Sequence, residues 1–282
     1  MSVSAIIVTY NPEEELLRRQ NTSLASQVDS IVYVDNGSEN VEMVKEIAGE
    51  QPLIENKKNL GLAVAQNQGI EFARQQNADF VLLFDQDSVP PAGFVDVLMR
   101  CYSEQRKINK VALVGPAIRN LIRDSHENDK GVVFKGISIR KVVVGEATEV
   151  SYCIASGSLI SMTAIEEVGG LCEEMFIDGL DVEWCLRARN KGYKIYQTKN
   201  TYLDHSLGDG TKRRIMSHSP NREYFIMRNS ILMARKSNIP MGYRIRKAFI
   251  SLGRLAQSLS SAKTDYIKAD FKGIIDGIKL KI

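Results

Sequence analysis

Two aspartates one residue apart, Asp85 and Asp87, follow an apolar run in the stretch LLFDQDSVPP. In a strand, such neighbours point to the same side, so their negative charges repel each other. A positive charge held between the two carboxylates would relieve that repulsion. The pair is therefore a candidate cation site. The alternative is a strand-end turn, which also favours Asp, Ser and Pro.

A second group of carboxylates, Asp178, Asp181 and Glu183, surrounds an expected helix start in FIDGLDVEW. Asp near a helix N-terminus can simply accept backbone N–H bonds and complement the helix dipole. The chemical alternative is a general base that removes a proton from a hydroxyl group. Because the dipole would lower the pKa of such a base, a neighbouring carboxylate or an apolar wall must raise it. Trp184, the single Trp of the chain, is either that wall or ordinary core packing.

These residues need a scaffold, and the first part of the chain alternates strand and helix patterns. The β-branched runs VSAIIVTYN and SIVYVDNGS end in turn residues, and helical patterns follow each of them. The alternation predicts an α/β fold with a parallel, doubly wound sheet. Ligands of such sheets bind outside the carboxyl ends of the strands. The polar residues expected at those ends are Thr9, Asn11, Asp35, Asp85 and Asp87.

Composition restricts the class of protein. The 282 residues are 44% hydrophobic and 25% charged, as in folded soluble proteins. The four cysteines contain no CxxC pair, which argues against a zinc site or a disulfide framework and favours a reducing cytosol. The N-terminal stretch predicts a strand and not a signal peptide, and no apolar run approaches the roughly 20 residues that span a bilayer. We therefore expect a cytoplasmic protein.

The motifs VTYN, VDNGS, NLGLAVAQNQG, DQDS, DGLDVEW and LDH, in this order, resemble the family 2 glycosyltransferases of GT-A fold. The resemblance covers roughly residues 3–235 and is greatest to bacterial rhamnosyltransferases. It implies a Rossmann-like mixed sheet with a C-terminal helical extension. It also implies an enzyme that transfers a sugar from a nucleotide sugar and inverts the anomeric carbon.

The resemblance assigns roles to individual residues. Asp181 is the expected general base, and Asp87 and His205 are the expected ligands of Mg²⁺ or Mn²⁺, which would bridge to the donor diphosphate. Asp35 would accept the pyrimidine N3–H, and Tyr10 would stack on the base. The residues expected to bind the nucleotide sugar are Thr9, Tyr10, Asn11, Asp35, Asn59, Gly61, Asp85 and Gln86. Those expected near the sugar or the acceptor are Gly157, Ser158, Asp178, Glu183 and Trp184.

The segments FIDGLDVEWCLRARNKGY and SPNREYFIMRN carry the resemblance to rhamnosyltransferases. It implies dTDP-rhamnose as donor and a saccharide acceptor in cell-surface polysaccharide or O-antigen biosynthesis. Two alternatives remain open. One is a sugar-nucleotide-binding module without turnover. The other is a haloacid-dehalogenase-like phosphatase, whose nucleophile motif matches LLFDQDSV but normally opens its domain.

The expected organisation is a GT-A catalytic domain at 1–219 and a basic helical extension at 220–282. Within the domain, a nucleotide-binding half ends at about 115 and an acceptor-binding half follows. The extension holds 13 of the 37 Lys and Arg residues but only 4 of the 34 Asp and Glu residues, so its net charge is +9 against −6 for the rest. This split indicates that the extension meets an anionic partner.

One helix of the extension has a distinctive pattern. Ile245, Phe249, Leu252 and Leu255 recur at helical spacing among basic residues. The pattern predicts either a helix packed on the catalytic domain or a helix on the anionic inner membrane surface. The second alternative would suit a lipid-diphosphate-linked acceptor. Nothing in the sequence indicates a nucleic-acid partner, and the oligomeric state is not predicted.

Overall fold

The computed structural model describes residues 1–119, 130–135, 138–204 and 219–280. The strands are β1 (Val3–Thr9), β2 (Ser30–Asp35), β3 (Leu53–Glu55), β4 (Phe80–Asp85), β5 (Val111–Arg119), β6 (Lys130–Lys135), β7 (Ser138–Val143), β8 (Thr148–Val150), β9 (Ser158–Ser161) and β10 (Lys194–Asp204). The helices are α1 (Glu14–Ala25), α2 (Val41–Ala48), α3 (Leu62–Gln75), α4 (Phe94–Gln105), α5 (Met162–Val168), α6 (Leu180–Asn190), α7 (Pro220–Arg235), α8 (Met241–Ser260) and α9 (Thr264–Lys279). A single 3₁₀ turn at Glu173–Met175 precedes α6.

Eight strands form one mixed sheet in the order β3-β2-β1-β4-β9-β5-β10-β8. The first four of these run parallel, so the carboxyl ends of β1, β2 and β4 meet at one edge. Strand β9 lies between β4 and β5 and is antiparallel to both. Strands β6 and β7 form a separate hairpin. The expected Rossmann-like mixed sheet is confirmed.

Hydrophobic cores lie on both faces of the sheet. One face is covered by α1, α2 and α4, which bury side chains such as Leu17 and Leu98. The other is covered by α3, α5, α6 and α7, with Trp184 and Leu232 among the buried residues. This layered arrangement is the one that strand–helix alternation predicts.

The chain after Pro220 is helical, as expected. Met227 and Leu232 of α7 are fully buried, so this helix belongs to the core and not to the surface. Helix α9 approaches α7 closely at two glycines, because a Cβ on Gly273 or Gly277 would lie 2.7 or 2.6 Å from a carbonyl oxygen of α7. The division at residue 219 stays a prediction.

Candidate active site

The turn after β4 is fixed by polar side chains that the sequence patterns did not identify. Gln20 of α1 is buried and donates from Nε2 to the carbonyl oxygens of Asp85 (2.7 Å) and Ser88 (2.6 Å). The Asp85 backbone N–H donates to Ser156 Oγ at 3.1 Å. These bonds leave Asp85 half-buried and Asp87 exposed at the carboxyl edge of the sheet. The two aspartates thus occupy the expected edge.

The ends of β1 and β2 are joined through Asp35, which is 1% exposed. One of its carboxylate oxygens accepts from the hydroxyls of Thr9 and Ser38, and the other accepts from the N–H groups of Gly37 and Ser38. Four acceptor positions are the usual capacity of a carboxylate. Asp35 therefore shapes this loop in the structure, and its bond to a nucleobase stays a prediction.

Tyr10 and Gln86 connect the ends of β1 and β4. The Gln86 amide accepts from Tyr10 N–H at 2.7 Å and donates to Tyr10 O at 3.2 Å. The Tyr10 side chain is 47% exposed and free of the core, as a base-stacking ring must be. Asn11 has a φ of +48° and accepts through Oδ1 from Glu39 N–H at 2.8 Å. The structure brings these three predicted residues to one edge.

Asn36, a residue missed at the sequence level, links the β2 loop to the loop before α3. It is 3% exposed, donates to Asn59 Oδ1 at 3.0 Å and accepts from Leu60 N–H at 2.9 Å. Asn59 Oδ1 also accepts from Gly61 N–H at 2.9 Å. The doublet of polar residues in VDNGS was the available signal, because an Asn after a strand often bonds to a neighbouring loop.

The space above Gly61 is filled by Phe176. A Cβ at Gly61 would lie 2.5 Å from the Phe176 ring, and the φ of Gly61 is +93°. The carbonyl oxygen of Phe176 accepts from Leu62 N–H at 2.6 Å, and so satisfies a donor at the start of α3. The close approach that requires glycine is thus a contact with the turn before α6. A contact of Gly61 with the nucleotide stays a prediction.

The turn before α6 contains Asp178, and hydrogen bonds from α7 fix its conformation. Phe176 and Asp178 both adopt positive φ, +60° and +66°. Asn229 of α7 is buried and donates from Nδ2 to the carbonyl oxygens of Met175 (2.7 Å), Ile177 (2.5 Å) and Asp178 (3.0 Å). Because non-glycine residues rarely adopt this conformation, the surrounding contacts must fix it.

Arg222 of α7 forms a two-pronged ion pair with Asp178, at 3.1 Å through Nε and 2.8 Å through Nη2. The hydrogen bonds to Asp178 raise the pKa of Arg222, and the charge of Asp85 acts in the same direction. A cation of α7 therefore lies within electrostatic range of carboxylates from both motifs. Its sequence signals were the excess of basic residues after residue 219 and its place in the segment SPNREYFIMRN.

Asp181 lies in the first turn of α6, half-buried between these groups. Burial raises the pKa of Asp181 to about 6, and the carboxylates of Asp85 and Asp178 act in the same direction, whereas the N–H of Val182 opposes them. The pKa of the expected base is therefore high enough for proton transfer near neutral pH.

Glu183 and Trp184 are structural in their contacts. Glu183 is fully buried and pairs with Arg187 at 2.9 Å and with Lys236 at 2.8 Å. Burial alone would raise the pKa of Glu183, but these two cations outweigh it and lower the pKa. Trp184 is 2% exposed and donates from Nε1 to the Gly169 carbonyl oxygen. Their expected place near the acceptor is untested, but neither side chain is open to solvent.

Gly157 and Ser158 are also enclosed. Gly157 N–H donates to Leu83 O at 2.7 Å, and Ser158 Oγ donates to Ile154 O at 2.6 Å. Ser158 is 0% exposed. Both residues support the sheet beneath the site, and their expected role in the sugar pocket stays a prediction.

Aromatic residues that the sequence did not single out, and Lys247 of the basic pattern in the extension, lie within electrostatic range of Asp181. Phe134 stacks on Tyr152 with ring centroids 5.7 Å apart, and its ring contacts Tyr243 in a tilted arrangement at 4.9 Å. Burial raises the pKa of Tyr152 to about 12, and the charge of Asp181 contributes. Lys247 of α8 lies over the Tyr243 ring at 5.5 Å. Burial lowers the pKa of Lys247, and the carboxylates of Asp181 and Asp178 oppose that shift, so Lys247 lies within electrostatic range of the site.

The expected metal ligands are only partly described. Asp87 offers exposed carboxylate oxygens, the donors that Mg²⁺ and Mn²⁺ prefer, beside the half-buried Asp85. His205 lies outside the described residues. Among the residues that the structure describes, no three His, Cys, Asp or Glu side chains are grouped to hold an ion. The acidic edge fits a cation whose remaining ligands come from a bound diphosphate.

Three comparisons agree with this geometry. The model for "Glycosyl transferase family 2" matches residues 4–169. The chain is 31% identical over 295 aligned residues to the dTDP-rhamnosyl transferase RfbF of Shigella flexneri. The alignment covers 99% of this chain and 96% of that relative. Two solved structures share the fold. The mannosyltransferase PcManGT from Pyrobaculum calidifontis, solved with GDP-Man and Mn²⁺, has a TM-score of 0.58 and 16% identity, over 99% of this chain and 86% of that one. GalNAc-T7, solved with UDP, GalNAc and Mn²⁺, has a TM-score of 0.61 and 14% identity, over 93% of this chain and 57% of that one.

The solved structures share the GT-A architecture of this fold, and the family model and the Shigella flexneri relative define the class as a glycosyltransferase. The chain belongs to glycosyl transferase family 2. The resemblance inferred from the motifs is therefore confirmed, and the two alternatives, a non-catalytic binding module and a phosphatase, are wrong.

Proposed function

We propose that this glycosyltransferase transfers L-rhamnose from dTDP-rhamnose to a saccharide acceptor, with inversion of the anomeric carbon and with Mg²⁺ or Mn²⁺. The observation that carries the proposal is Asp181, a carboxylate with a raised pKa beside the acidic edge formed by β4. Its position and its pKa of about 6 suit the general base of an inverting transfer, because the carboxylate is then deprotonated near neutral pH. The name of the Shigella flexneri relative supports the donor.

In the proposed reaction, Asp181 accepts the proton of the acceptor hydroxyl while that oxygen bonds to the anomeric carbon. The bond from that carbon to the nucleoside diphosphate breaks, and the diphosphate leaves on the opposite side with the electron pair. Asp87, with His205, would hold the cation, which when bound supplies positive charge that stabilises the leaving diphosphate. Arg222 is a second source of positive charge near Asp85.

On the nucleotide side, the loops of Thr9, Asp35 and Asn59 form the floor, and the exposed ring of Tyr10 stacks on the base. The Gln86 amide fixes the Tyr10 backbone and so orients that ring. On the acceptor side, Tyr152 and Lys247 lie within electrostatic range of Asp181. We infer that the acceptor is a lipid-diphosphate-linked saccharide of cell-surface polysaccharide or O-antigen synthesis, and that the enzyme acts at the cytoplasmic membrane surface.

A donor panel tests the proposal. Release of nucleoside diphosphate is measured with dTDP-rhamnose, UDP-linked hexoses and GDP-mannose, each with a saccharide acceptor and with or without EDTA. The expected result is preference for dTDP-rhamnose and loss of activity in EDTA that added Mn²⁺ restores. Preference for a uridine-linked hexose would refute the donor, and full activity in EDTA would refute the metal.

A further inference from the structure

Helix α8 turns its apolar side outward. Met241, Phe249, Leu252 and Leu259 are 52–69% exposed, although each is a large apolar side chain. Their spacings of eight, three and seven residues place them on one side of the helix. This is the side that a helix in water normally buries.

The opposite side of α8 faces the protein and holds polar residues together with the buried ring of Tyr243. Ser251 and Ser258 are 4% and 3% exposed. Arg254 donates to the buried carboxylate of Glu223 at 2.5 and 2.7 Å. Lys247, on the same side, lies within electrostatic range of Asp181. These polar contacts and the packing of Tyr243 on Phe134 fix the orientation of α8, and its apolar side is exposed to solvent.

Helix α9, which contacts α8, also exposes large apolar side chains. Phe271, Ile275 and Ile278 follow each other at spacings of four and three residues and are 47–56% exposed. Together with the four residues of α8 they form what we call the outer surface. It holds seven of the twelve large apolar side chains exposed in the described part of the chain, which is a concentration and not normal scatter.

Cations border the outer surface. Lys268, Lys272 and Lys279 of α9 are exposed and form a row at spacings of four and seven residues. Within these two helices as described, Asp265 is the one exposed carboxylate. An apolar stripe beside a row of lysines complements an anionic lipid surface, where apolar side chains enter the acyl boundary and lysines meet headgroups.

We propose that the outer surface of α8 and α9 docks on the face of a lipid bilayer that contains anionic headgroups. No helix in the described residues is long and apolar enough to cross a bilayer, so the contact is interfacial. Because Lys247 on the inner side of α8 lies within electrostatic range of Asp178 and Asp181, docking of the outer surface would hold the site close to the membrane. The advantage of this position for reaching a lipid-linked acceptor rests on the proposed function. Docking on the bilayer does not depend on it.

The test is flotation of the full chain with vesicles, without donor or acceptor. Vesicles of phosphatidylcholine with phosphatidylglycerol are compared with vesicles of phosphatidylcholine alone. The double variant Phe249→Ser, Leu252→Ser should weaken binding to anionic vesicles about tenfold or more, since each change removes one anchoring side chain. The matched control is Ile108→Ser, Val143→Ser, because those side chains are 78% and 76% exposed outside α8 and α9, and its binding should be unchanged.

A charge variant separates the contribution of the lysines to membrane binding from that of the apolar side chains. Lys268→Gln, Lys272→Gln, Lys279→Gln should weaken binding to the anionic vesicles about 10²-fold at low salt, since each lysine near the surface contributes about 1 kcal/mol. Its binding to neutral vesicles should not change. Thermal melts of all variants establish that the fold is intact.

Three outcomes would overturn the proposal: wild type that stays unbound to anionic vesicles at low salt, equal loss in the control, or a stable dimer that Phe249→Ser dissociates. The last would show that a second copy covers the outer surface. Hydrolysis or transfer from dTDP-rhamnose to a water-soluble acceptor, measured in parallel, depends on the proposed function and not on docking, so the two failures are distinguishable.

Discussion

At the scale of single residues, the three carboxylates around the start of α6 differ in their partners. Asp178 is paired with Arg222, and Glu183 with Arg187 and Lys236. Asp181 has no ion pair within the described residues, and it alone has a pKa raised towards neutrality. These surroundings favour Asp181 as the base.

We expect Asp181→Asn to lower turnover by about 10²-fold or more while donor affinity changes little, because the amide keeps the shape but cannot accept the proton. Glu183→Gln is the comparison variant. Its main effect should be a lower melting temperature, and its loss of turnover should be smaller than that of Asp181→Asn. Steady-state kinetics and donor titration by calorimetry measure both. Normal turnover in Asp181→Asn together with loss in Asp178→Asn would move the base to Asp178.

The raised pKa also predicts the pH dependence. The base must be deprotonated, so kcat/KM should fall below about pH 6 in wild type. Asp178→Asn removes a nearby negative charge and releases Arg222, and both changes lower the pKa of Asp181. The acidic limb of the kcat/KM profile should therefore move to lower pH in this variant. A limb that stays in place or moves upward would show that another group titrates.

At the scale of elements, α7 positions the turn that precedes α6. In Asn229→Asp, a carboxylate of the same shape would face the three carbonyl oxygens that Asn229 now bonds. We expect a loss of about 2–3 kcal/mol of stability and a fall in kcat with little change in donor KM. Asn221→Asp, exposed in the same helix, is the matched control. If kcat and the melting temperature of both variants match wild type, the turn does not depend on α7.

The sequence was sufficient for elements whose pattern is local. Alternating strand and helix patterns predicted β1, β2 and β4, and parallel pairing then placed Asp35 and Asp85 at one edge. Contacts between distant segments leave no periodic signal. Phe176 packs on Gly61, and Arg222 pairs with Asp178 across 44 residues. For α8 the pattern predicted an apolar face. It did not predict that the protein would bury the opposite face of the helix and leave much of the apolar face exposed.

At the scale of the whole molecule, the charge asymmetry of the sequence appears as contacts between α7 and the rest of the chain. Lys236, just after α7, neutralises Glu183, and Arg222 neutralises Asp178. Basic residues of the C-terminal part thus compensate carboxylates around the site. The same part supplies Met227 and Leu232 to the core. The site and the C-terminal helices are therefore expected to fold together.

Deletion of residues 220–282 should consequently yield an insoluble or unfolded chain. Without Lys236, the fully buried Glu183 loses one of its two cations, and breaking a buried ion pair costs about 3–5 kcal/mol, a large part of the roughly 5–15 kcal/mol that stabilises a domain. Deletion of residues 263–282 removes α9 alone, and should leave a folded but less stable protein. In the full chain, Lys236→Met should lower the melting temperature far more than Lys263→Met, an exposed control. Soluble yield and thermal melts by circular dichroism measure these effects, and a cooperative melt of residues 1–219 would instead establish the boundary at residue 219 as one between independent units.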